Sequence, residues 1–445
     1  MKTKIKLLST FTLMAINYLF AQDPSCNGII QTSSLTSCPN QSVSYLNKYS
    51  LQSFYVPNEN TPVKVINVNL HIMQREVPAP RGNFDETNTG QVQFLTDLFN
   101  GTGGINYLFS HLPAPSDPVT CVCVNACHII DSRIQFSLNG IYYHQDNSNY
   151  ILDPCDAGYT NITYGINTQS EINIYFYGEQ DATLNGCATT PSTNLAYIQW
   201  IGIDDAIYTY PQGFGALVTE LSHELGHNLG LLHTYAPTCC PESCTTTSTD
   251  FLSDVFGSGS VDCPEVCSQD YGWSCDIYSS SNSCSNNLMG GTNTSGYLSP
   301  LQLGRIHRET QLKSLRKYMS CELGSIDWKI TTDEVWDFDI KMYDNIIVNP
   351  GASLTASCNI TLPCNGKIDI KPGGRLILSD NSSITMATGS FIHVEEGATL
   401  EINNTVSGKG IIFDQSGTNY VKVEGTLQFG ANADFTIQGI GYYHF

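Results

Sequence analysis

The amino-acid sequence predicts an α+β fold followed by an all-β domain, and three observations support this. Segments of alternating apolar residues, typical of strands, are mixed up to about Cys321 with segments of helical apolar spacing. Beyond that point the helical spacing disappears, and short strand-like segments recur around glycines. The 445 residues also exceed one ordinary domain, so two or three domains are expected.

The first part of the chain alternates predicted strands with predicted helices. VKVINVNLHIM, at residues 63–73, alternates apolar and polar residues and is a predicted strand. Two segments have the spacing of amphipathic helices. The further predicted strands lie at residues 132–144, 170–179 and 194–210, and the two helices lie at residues 89–100 and 104–112.

A third predicted helix contains TELSHELGHNLGLLHTY, residues 219–235. Leucine recurs at every fourth position from Leu217 to Leu229, which forms one apolar stripe. Gly230 then suits the end of the helix, because glycine tolerates the left-handed conformation of a C-terminal cap.

This helix carries a candidate metal centre. His223 and His227 lie one turn apart on the same face, so both imidazoles can bind one ion. Gly230 allows the chain to turn back and bring His233 as a third ligand, which leaves a fourth position for water, as in catalytic zinc sites. Glu224 can reach that water as a general base. A His-x-x-x-His pair is common in helices, but the full pattern is far more specific for zinc.

The segment after this helix is irregular and rich in cysteine. Residues 237–287 contain seven cysteines, for which disulfides are favoured over a zinc finger, since paired Cys-x-x-Cys spacing is absent. A fourth helix is predicted at residues 298–319, with Ser299 as N-cap, Pro300 at the first position and Gln302 completing a capping box.

The last part of the chain repeats one pattern of strand, glycine turn and strand. The repeated glycines are Gly351, Gly373, Gly397 and Gly425. A period of about 20–30 residues with strands alone predicts a parallel β-solenoid over residues 326–445, and a β-sandwich of hairpins is the alternative. Cys358 and Cys364 are predicted to form a local disulfide.

Composition and the N-terminus indicate export. Residues 1–21 combine three early lysines, an apolar stretch and Ala21, as signal peptides do, and the stretch is shorter than the ~20 residues of a membrane span. Residues 22–62 are then an N-terminal extension or pro-segment of a secreted protein. All 17 cysteines follow the predicted signal peptide, so in an exported chain they are expected to form disulfides. The net charge of −21 argues against nucleic acid as a partner.

The segment HELGHNLGLLH resembles the zinc signature of the metzincin metalloendopeptidases. NNLMGG, with Met289, looks like the methionine turn of that clan, and the helix that follows is most similar to the pappalysin-like (cytophagalysin-type) branch. The resemblance implies a two-subdomain metzincin-like catalytic domain over residues 63–325, with Met289 as an apolar floor under the zinc. Several metzincins have a tyrosine two residues after this methionine; Gly291 stands here, and Tyr297 is near in sequence.

The resemblance further implies a latent precursor and calcium. A pro-segment cysteine can block the zinc, and Cys26 and Cys38 are the candidates for this cysteine switch, with an ordinary disulfide as the alternative. Asp250, Asp254 and Asp262 are candidate calcium ligands.

The expected function is that of a secreted zinc-dependent endopeptidase, in which Glu224 activates a zinc-bound water to hydrolyse a protein or peptide substrate. One alternative is a surface adhesion protein whose β-solenoid contacts a surface or glycan and whose protease domain is inactive. Another is a zinc enzyme that acts on a non-peptide amide. The intact Glu224 favours the first.

Overall fold

The structure is a computed structural model that describes fifteen stretches of the chain. These are residues 52–75, 84–114, 128–150, 164–168, 170–177, 186–188, 199–202, 212–231, 286–290, 296–312, 314–321, 323–324, 327–407, 409–433 and 436–444. The fold is mixed α+β, with few helices and mostly parallel strands.

The chain divides into two compact units. The first holds Asn67–Ile130 and Phe136–Gln302, and the second holds Asp131–Gln135, Leu303–Phe445 and the stretch that ends at Ile66. The domain boundaries predicted from the sequence stay predictions.

A five-stranded mixed sheet follows the predicted strands. Its order is β2-β1-β3-β5-β4, in which β1, β3 and β5 are parallel and β4 is antiparallel to β5. Strand β1 is buried along almost its whole length, as expected for a strand inside a sheet. The short β4 was not predicted. The bounds are β1 Lys64–Gln74, β2 Ile134–Gln145, β3 Ile172–Tyr177, β4 Gly186–Ala188 and β5 Gln199–Gly202.

The predicted helices are present, with one shorter than expected. The bounds are α1 Thr89–Asn100, α2 Ile105–Ser110, α3 Asn147–Tyr150, α4 Gln212–Asn228 and α5 Pro300–Leu312, with 3₁₀ turns at Gln52–Tyr55, Leu288–Gly290 and Ser314–Tyr318. The one-turn helix α3 was not predicted. The sequence predicted one helix to residue 319, whereas α5 ends at Leu312. The Arg316 guanidinium donates to the carbonyl oxygen of Leu312 (3.2 Å) and to the Asp339 carboxylate (3.2 Å), which satisfies the helix end. No helix among the described residues is long and apolar enough to cross a membrane.

Residues 327–444, named the repeat region here, wind through three sheets. The sheet orders are β19-β16-β13-β10-β7, β20-β17-β14-β11-β8 and β21-β18-β15-β12-β9-β6. Each strand as far as β18 pairs in parallel with the strand three positions later in the chain, as β10 does with β13. The first strands are β6 Asp327–Ile330, β7 Glu334–Trp336, β8 Ile340–Lys341, β9 Asn345–Val348, β10 Ser353–Ala356, β11 Asn359–Leu362, β12 Lys367–Ile370 and β13 Arg375–Leu378. The later strands are β14 Ser383–Met386, β15 Phe391–Val394, β16 Thr399–Ile402, β17 Gly410–Phe413, β18 Asn419–Val423, β19 Thr426–Phe429, β20 Thr436–Gln438 and β21 Gly441–His444.

Stacked apolar residues form the core of this region. Leu354, Leu376 and Leu400 occupy equivalent register positions and are all buried. The sequence predicted two strands per repeat, but the structure has three: β11, β14 and β17 are additional four-residue strands that do not flank the repeated glycines. The glycine turns also differ: three of the four repeated glycines have positive φ (Gly351, Gly373 and Gly397), and Gly425 does not.

The predicted Cys358–Cys364 disulfide is wrong. Cys364 bonds instead to Cys321, and its backbone N–H donates to the Cys321 carbonyl (2.7 Å). Cys358 is a buried free thiol within the apolar core of the repeat region, where it behaves as a small apolar residue. Six residues of separation suggested a local loop, but Cys358 points into the core instead.

Candidate metal centre

Helix α4 presents two histidines side by side. Leu217, Leu221 and Leu225 are buried, so the predicted stripe anchors the helix in the first unit. The helix packs against β4, β5, α2 and the Leu288–Gly290 turn. The rings of His223 and His227 lie 4.8 Å apart between centroids and are nearly perpendicular. One turn of helix therefore brings both imidazoles to the same place, as predicted.

Backbone carbonyls fix the tautomer of both rings. Nδ1 of His223 lies 2.7 Å from the carbonyl oxygen of Leu288, and Nδ1 of His227 lies 2.9 Å from that of Leu231. A carbonyl only accepts, so each Nδ1 carries the proton. Burial lowers the pKa of His223 below its ordinary value, while the Leu288 contact opposes this. In the neutral rings the lone pair is then on Nε2, which is the arrangement of metal-binding histidines.

Glu224 is buried beside these histidines. Its side chain is 6% exposed, and burial raises its pKa to about 8, with a smaller contribution from the charge of Glu220. Burial likewise raises the pKa of Glu220 to about 7. Glu224, a carboxyl group in poorly solvated surroundings next to the two histidines, is suited to proton transfer.

Met289 lies directly against the helix between the two histidines. It is fully buried, and a Cβ added to Gly226 would lie 2.6 Å from its Sδ atom. Glycine at this position is therefore required for the sulfur to approach the helix backbone. Met289 therefore lies beside the histidines, and its role as the floor of a zinc site stays a prediction.

A hydrogen-bond network holds the methionine turn. The Met289 N–H donates to Oδ1 of Asn287 (2.9 Å), and Nδ2 of Asn287 donates to Oε1 of Gln302 (2.8 Å). The same Gln302 oxygen accepts from the Ser299 N–H (2.9 Å), and Oγ of Ser299 accepts from the Gln302 N–H (3.1 Å). The predicted capping box of α5 is confirmed, and it also orients the turn. The Leu288 N–H, which adjoins this turn, donates to the carbonyl oxygen of Tyr297 (2.8 Å).

Of the remaining site residues singled out in the sequence, the structure describes Tyr297 alone. Tyr297 is buried, in a backbone bridge with Asn287. The residues whose placement the structure does not describe are His233, Gly291, Cys26, Cys38, Asp250, Asp254 and Asp262.

Sequence reasoning missed three contributors to the site. These are the carbonyl groups of Leu288 and Leu231, which orient the histidines, and Gly226, which admits the methionine. Only Gly226 left a signal, since a glycine inside a helix costs about 1 kcal/mol relative to alanine and so indicates close packing. The carbonyl contacts depend on the tertiary path of the backbone.

Among known proteins, only solved structures resemble this chain. No protein-family model matches the sequence, and no curated protein matches it. Among solved structures, mirolysin in complex with compound 9 has 17% sequence identity and a TM-score of 0.36, over 58% of this chain and 96% of that chain. Mature mirolysin of Tannerella forsythia in complex with a cleaved peptide has 16% identity and a TM-score of 0.37, over 59% and 96%. TM-scores below 0.5 at such identities do not establish a shared fold.

Proposed function

We propose that the chain is a zinc-dependent endopeptidase. The observation that carries this proposal is the pair of tautomers on α4, in which backbone carbonyls hold the Nδ1 protons of His223 and His227 and leave both Nε2 lone pairs as ligands. His233 completes the set of three nitrogen donors, on the spacing of HELGHNLGLLH. Nitrogen donors with an open fourth position suit catalytic zinc.

The chain's own residues supply the proton transfers. Zinc bound to these histidines would polarise the scissile carbonyl and acidify water. Glu224 adjoins His223 and is withdrawn from solvent. The charge of zinc on the histidines would favour its ionised form, which would accept the proton of the attacking water and later deliver it to the leaving nitrogen. Met289 fills the volume beside the histidines with an apolar side chain and so keeps bulk water away from their inner side.

Further parts of the proposal concern the family and the rest of the chain. HELGHNLGLLH and NNLMGG favour a pappalysin-like metzincin with two subdomains. The three parallel sheets of the repeat region favour a β-solenoid. The signal-like residues 1–21 favour secretion, and the substrate is a protein or peptide. A cysteine switch at Cys26 or Cys38 and calcium at the loop aspartates stay predictions.

Digestion of a mixed peptide library by the purified full chain tests the proposal. We expect Glu224→Gln to lower kcat/KM by about 10²–10⁴-fold, because it removes the general base and keeps the side-chain volume. Glu220→Gln is the matched control, since it removes a neighbouring buried carboxyl one turn earlier, and it should stay within a few-fold of wild type. A chelator should abolish activity and added Zn²⁺ should restore it.

Equal cleavage by the wild type and Glu224→Gln would end the protease proposal. Peptide cleavage that survives complete removal of the metal would contradict the proposed role of zinc. Cleavage of small amides without cleavage of any peptide would instead favour the non-peptide amidase.

A further inference from the structure

The outer face of the repeat region carries a second cluster of metal-binding side chains. Asp369 on β12 and His393 on β15 are register partners, and Glu395 follows β15 directly. One ligand atom from each of these three residues lies within 4.8 Å of those from the other two. Their neighbours Ile368 and Ile392 point into the apolar core, so the cluster is held on the opposite face of the strands.

Asp369 has one oxygen that its lysine ion pairs do not use. Its side chain is 6% exposed, and its Oδ2 atom accepts from Lys371 (2.8 Å) and Lys367 (3.3 Å). Both ammonium groups therefore contact the same oxygen. The other, Oδ1, is buried without a hydrogen-bond partner and lies 3.3 Å from Nδ1 of His393. Burial opposes ionisation of Asp369, but the lysine contacts outweigh it and hold its pKa below the ordinary value.

The contact of His393 Nε2 determines which nitrogen of this ring can bind a metal. Nε2 lies 2.9 Å from Oε2 of Glu424, and a carboxylate accepts, so Nε2 carries a proton. In the neutral ring the Nδ1 lone pair then faces the lone pair of the Asp369 oxygen. Ligands about 2.1 Å from a tetrahedral ion are separated by about 3.4 Å, close to this 3.3 Å spacing. The Glu424 contact is the carboxylate–histidine pairing that orients metal-binding histidines.

Glu395 supplies the third donor. Its Oε1 atom accepts from Lys371 at 2.6 Å, which leaves the other carboxylate oxygen as the ligand. One imidazole and two carboxylates favour a transition-metal dication over calcium, which prefers oxygen donors alone. The neighbouring lysines weaken the attraction for a cation, so this site binds less tightly than a structural zinc site.

We propose that Asp369, His393 and Glu395 form a second metal site, separate from the helix-α4 centre, that takes Zn²⁺ or a similar divalent transition metal. Glu424 is a positioning residue that orients His393. The proposal is independent of the peptidase function, because none of its residues belongs to the proposed zinc centre.

Titration with Co²⁺ tests this site directly. The parent protein for this titration is the full chain with His223→Ala and His227→Ala, two substitutions that remove the helix-α4 centre. Calorimetry and visible absorption follow the binding of Co²⁺ to it. We expect one Co²⁺ per chain, loss of that binding in His393→Gln, and about 10-fold weaker binding or more in Glu424→Gln. His444→Gln is the matched control, an exposed histidine two rungs along the same sheet, and it should bind as the parent does.

Two results would overturn the proposal: no bound Co²⁺ in the parent, or unchanged binding in His393→Gln. If the parent protein binds no Co²⁺, the cluster is held together by ion pairs alone and is not a metal site. Glu395→Gln provides a second variant if His393→Gln fails to fold by circular dichroism, and unchanged binding in it would count against the site equally. Peptidase activity is not measured, so failure of the proposed function does not affect the outcome.

Discussion

Two buried carboxyl groups, one in each part of the chain, have pKa values that shift in opposite directions. Glu224 on α4 and Asp369 on β12 are 6% and 4% exposed. Burial raises the pKa of Glu224 to about 8, whereas lysine contacts hold the pKa of Asp369 below its ordinary value in spite of burial. The two pKa values therefore shift in opposite directions: the lysine contacts of Asp369 outweigh its burial, whereas burial and the charge of Glu220 both raise the pKa of Glu224.

The interiors differ in the same way. The core cluster of the repeat region consists of apolar side chains. The first unit instead buries polar rings: His71 lies inside the sheet, stacked on Tyr142, His144 and Tyr175. We infer that the repeat region obtains its stability from apolar stacking, while the first unit accepts titratable groups in its interior at a cost in stability.

A cavity in the repeat core should give the largest effect on stability. Leu376→Ala removes a fully buried side chain from the middle of a leucine stack, and we expect a loss of about 2–5 kcal/mol in the free energy of unfolding. The matched control Ile377→Ala, on the outward face of the same strand, should cost much less. Denaturant titration measures both, and equal losses would contradict the inside-outside assignment.

Loss of the disulfide should follow in magnitude. Cys321 and Cys364 are 43 residues apart, so Cys364→Ser should cost about 2–4 kcal/mol through the greater entropy of the unfolded chain. Cys358→Ala, which removes only a buried thiol, should cost less. If Cys358→Ala proved the more damaging variant, the pairing described above would be wrong.

The titratable interior of the first unit should make its stability depend on pH. Asn173 Oδ1 accepts from the Ile166 N–H and from Nε2 of His71 (2.7 Å), so Nδ1 of His71 must accept from His144 (3.0 Å). Burial lowers the pKa of His71 from 6.5 to about 4. As pH falls through 6.5, His71 becomes protonated in the unfolded chain but stays neutral in the folded chain. Stability present above pH 6.5 is thus lost progressively towards pH 4, by about 2–3 kcal/mol.

Thermal unfolding of wild type and His71→Gln across this pH range measures that slope. The variant should lose less stability on acidification because it lacks the proton-binding group. Parallel curves would show that another group carries the pH dependence.

Two glycines of the same helix give the smallest effects, with opposite signs. Gly226→Ala places a methyl group against the Met289 sulfur, and we expect a loss of about 1–3 kcal/mol in the free energy of unfolding, together with a lower rate in the assay of the proposed peptidase activity. Gly215→Ala meets open space on the exposed face and should stabilise the helix by up to about 1 kcal/mol. Melting temperatures of both variants test the packing, and a harmless Gly226→Ala would refute the close approach of Met289.

Local patterns predicted a good part of the fold and of the candidate site. Alternation located β1, β2 and β3, and the leucine stripe located α4 with His223 and His227 on one face. The Ser299–Gln302 capping box was also read correctly, since its partners are three residues apart. The strands that do not flank the repeated glycines (β11, β14 and β17) and the short β4 were missed, as was the early end of α5.

The sequence by itself determined that two histidines and a glutamate share one helix and that strands repeat around glycines, because helical and strand periodicities are set by neighbouring residues. Only the tertiary structure decided which nitrogen of each histidine carries its proton, where the Met289 sulfur lies, and which cysteine Cys364 bonds to. These depend on backbone groups and side chains that come from distant segments, such as Leu288 against His223, and no local spacing encodes such contacts.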